Sequence, residues 1–140
     1  MSTRKNIRDN IVTALTGLTT TGSNVFRSRV YPLDQSSLPG LCIFTQSDDA
    51  EYQTIGTSRT VRHLLTVTVE AYVRQSANYD NTLDTIQDEV DAALAVDRTR
   101  GGYAQDTRIV AFSSTMSPDG DQPLAVGEIS VEIDYVETEG

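Results

Sequence analysis

Apolar and polar positions recur along this chain with two different periods, and the switches between them divide it into elements. Ile7, Ile11, Ala14, Leu15 and Leu18 fall at helical spacing, which predicts an amphipathic helix buried along one stripe. Ser2 or Thr3 would cap its start, and Gly17 or Gly22 would end it. Thr19 to Ser23 reads as a loop. Asn24 to Tyr31 mixes β-branched and polar residues as an edge strand does, and Pro32 stops it. Leu33 to Pro39 is a connector with turn chemistry. Gly40 then opens a second, more apolar strand over Leu41 to Gln46.

The polar stretch Ser47 to Ser58 predicts a loop of about a dozen residues, a length that is often functional but also suits a plain hairpin tip. The clearest strand follows. Val61, His63, Leu65, Val67, Val69, Ala71 and Val73 alternate with Arg62, Leu64, Thr66, Thr68, Glu70, Tyr72 and Arg74, a period of two that no helix satisfies. A second helix spans about Asn81 to Val96, with Leu83, Ile86, Val90, Ala93 and Leu94 as its buried stripe. Two strands close the chain, Arg108 to Met116 and Leu124 to Val136, around the turn Ser117 to Asp121 and before a polar tail, Glu137 to Gly140. The order α-β-β-β-α-β-β predicts a single α+β domain over residues 1–140. Its sheet would be mixed and mainly antiparallel, with two helices packed on one face.

Charge sharpens this picture. The formal net charge is −9 over 140 residues. Residues 1–31 hold Arg4, Lys5, Arg8, Arg27 and Arg29 against Asp9 alone, whereas the remainder sets six arginines against nineteen acids. A net-acidic body lacks the basic footprint that gripping duplex DNA requires, although DNA can slide past such a surface. The one cysteine, Cys42, sits in an apolar run and reads as a buried thiol. No secretory leader pattern and no membrane-length apolar run stand out, so a soluble protein is expected.

Candidate chemistry is sparse. His63 is the only histidine and lies on an apolar strand face, where a core or interface role fits better than a general base. One Cys and one His cannot build a Cys/His metal site, and no phosphate-cradling glycine loop is present. No enzyme activity and no cofactor are expected. On the second helix, Asp80, Asp84, Asp88 and Asp91 form one stripe beside the apolar face. Their like charges cost a few tenths of a kcal/mol per pair. The stripe reads either as a solvated face or as a surface toward a basic partner, a cation or a DNA channel. The polar faces of the long strands, and Asp48, Asp49, Glu51, Arg59, Arg62, Arg27 and Arg29, are the other interface or channel candidates.

Several phrases along these elements resemble one family. They are the opening helix Ile7 to Leu15, Val30-Tyr31-Pro32-Leu33, Leu38 to Phe44, Val69-Glu70-Ala71-Tyr72-Val73, Leu83 to Leu94, and the closing Ile129 to Tyr135. Together they are similar to the tail terminator (minor tail protein U-like, tail completion) family of long-tailed bacteriophages. The resemblance implies a virion protein made in the host bacterial cytoplasm and located at the head-proximal end of the tail. There it would form a homo-oligomeric ring of six copies that caps the tail tube and ends its polymerisation. The implied partners are the major tail tube protein and the head-tail connector protein, with DNA passing through the channel without being specifically bound and no membrane involved. A closed ring needs two different complementary patches on each subunit, and the basic N-terminal region and acidic remainder suggest such a pair. Two other readings stay open: a head-completion or neck connector subunit, and a small ligand- or peptide-binding domain.

Overall fold

A computed structural model describes residues 3–22, 24–27, 39–56, 59–74, 79–117 and 124–139. The elements are α1 (Thr3–Leu15), β1 (Val25–Phe26), β2 (Gly40–Tyr52), β3 (Arg59–Arg74), α2 (Tyr79–Ala95), β4 (Asp106–Ser117) and β5 (Leu124–Glu139). The strands form one sheet in the order β1-β2-β3-β5-β4. Every neighbouring pair is antiparallel except β1, which runs parallel to β2. The α+β fold with a mixed, mainly antiparallel sheet is therefore as the sequence predicts. Neither helix is long and apolar enough to cross a membrane.

Both helices lie on one face of the sheet. Ile7, Ile11, Val12 and Leu15 of α1 and Leu83, Ile86, Val90 and Leu94 of α2 are buried in one cluster with Leu65, Val67 and Val69 of β3 and Ile129, Val131 and Ile133 of β5. The alternation of β3 and β5 thus does what period two implies, sending every second side chain into the core. α1 stops at Leu15 because Gly17 adopts a left-handed backbone (φ 94°) that glycine tolerates without cost. Leu18 then leaves the helix and pairs with Gly22 in an isolated bridge.

Three expectations need correction. Ser47 to Tyr52 is not loop: β2 continues through it, paired with Val61 to Thr66 of β3. Polar side chains are tolerated there because the ladder satisfies the backbone and half of the side chains face outward. Glu137 to Glu139 is not a tail, since it pairs with Arg59 to Val61 as the end of β5. Of the strand expected over Asn24 to Tyr31, Val25–Phe26 is strand, Asn24 lies before it and Arg27 is a bend, while Ser28 to Tyr31 lie outside the described residues.

Register irregularities fall between Thr45 and Ser47 in β2 and between Ile109 and Ala111 in β4. Gln46 and Val110 are the extra residues. Each reverses the in/out parity of the strand beyond it. In β2 this turns Asp48 toward the helices and Ser47, Asp49 and Glu51 away from them.

Candidate functional site

Two polar constellations result, one on each side of the β2–β3 hairpin. On the helix side, Asp48 is nearly enclosed, its side chain 6% exposed. Its carboxylate accepts hydrogen bonds from Tyr135 Oη at 2.5 Å and Arg4 Nη1 at 3.4 Å, and His63 Nδ1 lies 2.9 Å away. The imidazole stacks on the Tyr135 ring, with centroids 4.4 Å apart and planes inclined by 7°. Burial first, and then the bond to Asp48, push the Tyr135 hydroxyl above its ordinary range. An Asp–His pair can orient an imidazole as a base, but the other nitrogen, Nε2, faces Glu137 Oε1 at 4.0 Å. A carboxylate thus stands where nucleophilic catalysis needs a hydroxyl or thiol. The arrangement ties α1, β2, β3 and β5 together.

On the opposite side, cross-strand registry builds a recess of about 580 Å³ lined by Asp49, Glu51, Arg62, Leu64, Arg108 and Asp134, among others. Asp49 pairs with Leu64, Leu64 with Asp134 and Asp134 with Asp106, so four strands contribute one row. The facing acids Asp134 and Asp106 would repel, and Arg108 bridges them. Its Nη1 donates to Asp134 at 2.7 Å and Asp106 at 3.4 Å, and its Nη2 donates to Glu132 at 3.3 Å. The bond to Asp134 is the chief reason the guanidinium holds its proton more tightly than usual. Arg62 is exposed and makes no ion pair among the described residues.

The predicted residues therefore scatter. Asp49, Glu51 and Arg62 come together, and Asp48, alternating with its neighbours along β2, points to the opposite face of the sheet. Arg59 closes the hairpin, donating from Nε to Gly56 O and lying 5.4 Å from the Tyr52 ring centroid. Arg27 pairs with Asp9, as does Lys5. The bond from Lys5 is the largest of the effects holding the Asp9 carboxyl below its usual value. Arg29 and the Asp80 side chain lie outside the described residues. Asp84, Asp88 and Asp91 are exposed along α2 and form no ion pair among the described residues. Among the described acids of α2, Glu89 is engaged, accepting from both the backbone N–H and the hydroxyl of Thr20.

Sequence reasoning missed Arg108, whose importance comes only from which strands lie beside β4. It also missed Arg100, which is fully buried at a left-handed φ of 51°. Its Nη2 donates to the carbonyls of Leu94 and Asp97 and so closes the C-terminal end of α2. Burial is the main influence lowering its pKa. Among the described residues, no three His, Cys, Asp or Glu side chains converge as metal ligands would. A scan against protein-family models finds no match to the chain, and a search of curated proteins finds none either.

Proposed function

We propose that this chain is a structural, non-enzymatic subunit of a bacteriophage virion. Copies of it form a ring, six in number by the family resemblance, that caps the tail tube, ends its polymerisation and offers the surface to which the head is joined. Its partners are then the major tail tube protein and the head-tail connector protein, and DNA traverses the ring without specific binding. The observation that carries this reading is the charged, concave end of the sheet around Asp49, Arg62 and Asp134. A face of this kind suits assembly better than catalysis, because its acids and arginines are spent on one another or on water. The architecture agrees with what the family resemblance implies, two helices on one side of a mixed sheet.

The recess is also the feature that a ligand-binding domain would use. Pockets for small molecules are predominantly apolar, whereas Leu64 and Ala50 are the apolar members of this lining. A head-completion or neck subunit differs in its target. Co-sedimentation with assembled tail tubes and with portal complexes separates the three. The proposal expects saturable binding to tube ends and arrest of tube growth. Binding to portal alone would move the chain to the neck, and binding to neither would overturn the assembly reading.

A further inference from the structure

The second face of the sheet is not uniformly open. Cys42, Phe44 and Thr68 alternate onto it by register, yet all three are buried. Toward the β2–β3 hairpin that face is open: Asp49, Glu51 and Arg62 are exposed, and Val136 stands 39% exposed beside Arg62. Acids prevail here: Asp49, Glu51, Asp106, Glu132 and Asp134 outnumber Arg62 and Arg108.

An opposite surplus lies on the helix side, at the edge formed by α1 and the residue after β1. Lys5 and Arg27 both pair with Asp9 while remaining 57% and 54% exposed, and Arg4, 48% exposed, adds to them. α1 packs on the helix face of β2, as the bond from Arg8 to Thr45 shows. The acidic end belongs to the other face of the sheet, so the two surpluses occupy different surfaces.

We infer that a second copy of this chain docks its Lys5–Arg27 edge onto the open acidic end of the sheet around Asp49 and Glu51. Leu64 and Val136 provide an apolar floor, and the recess has room for long basic side chains. The contact is head-to-tail, each copy giving one patch and receiving the other, which generates a ring when the rotation closes. Opposite charge steers the encounter and fixes its orientation. The inference rests on the ring reading above and names the surfaces that would build it.

Charge reversal tests it, read by sedimentation equilibrium over a concentration series at about 0.15 M salt, where exposed charges beyond about 8 Å are screened. Asp49→Lys with Glu51→Lys, and separately Lys5→Glu with Arg27→Glu, should each weaken self-association more than about tenfold, corresponding to about 1.4 kcal/mol. Far-UV circular dichroism checks that each variant is folded. Mixing the two variants should restore association, because their patches again alternate in sign, and so should combining all four substitutions in one chain. Variants that associate as the wild type does would overturn the docking surface while leaving the ring reading in place. A wild-type chain that stays monomeric throughout would overturn self-docking, and tube binding would then decide the ring reading separately.

Discussion

Asp48 shows how a single inserted residue decides a side chain's role. Had β2 kept its parity past Thr45, this carboxylate would face water. The extra residue Gln46 instead turns it under α1, against His63 and Tyr135. Removing it would leave buried donors unpartnered, at a cost of about 1–3 kcal/mol for each such group. Asp48→Ala is expected to lower the unfolding free energy by about 3 kcal/mol and Tyr135→Phe by about 1 kcal/mol. The double variant should lose less than the sum, since both changes break the same bond; urea denaturation measures all three. Cys42 gives a pH prediction. Burial, helped by Glu70, pushes its thiol up to about 12 from an ordinary value of 9.0. The native state therefore holds this proton over a window in which the unfolded chain releases it. The stability contributed is complete below about pH 9 and falls above it by up to about 1.4 kcal/mol per pH unit. Cys42→Ala should flatten that part of the decline in denaturant titrations between about pH 9 and 11. The wild-type thiol should resist alkylation near pH 8 until the chain unfolds.

At the scale of elements, Gly127 sets how closely α2 approaches β5. A Cβ there would meet Leu83 Cδ2 at 3.1 Å and Phe112 Cε2 at 3.2 Å. Both are side-chain ends that can give a little, so Gly127→Ala should cost about 1 kcal/mol and Gly127→Val about 2–3 kcal/mol in urea unfolding. Equal stability of the Val variant would show that the α2–β5 seam is looser than these distances imply. The helices and β3 were legible in the sequence because each divides water from core along its whole length. β2 was legible only to Gln46. Beyond it, the acids and the change of parity hide a strand that exists because β3 offers it a ladder. The last turn of pairing in β5, Glu137 to Glu139, was hidden for the same reason: it is held by backbone partners at Arg59 to Val61. The recess was half legible. Asp49, Glu51 and Arg62 stood out one by one as charged residues near a hairpin, but Arg108 gains two of its three carboxylates, Glu132 and Asp134, from a cross-strand register that no local pattern encodes.

For the whole molecule, net charge and local charge act over different distances. A subunit of formal charge −9 repels its copies through several ångströms of solvent, whereas a docked pair of patches interacts at contact. Salt weakens the first more than the second. Light-scattering mass on a sizing column should therefore rise with moderate salt or Mg²⁺ and with concentration, toward the mass of a closed ring. A mass that falls steadily as salt is added would mean that long-range repulsion is not what limits association. The centre of the sheet carries a different kind of consequence. β3 and β5 pair without interruption from Arg59 with Glu139 to Arg74 with Leu124, while the ladders on either side each contain a bulge. Transient openings should begin at those flanking ladders and stop at the central pair. The backbone amide protons of Val67, Val69 and Val131 would then exchange with solvent deuterium only when the entire domain comes apart, so their exchange times record how long one folded molecule survives.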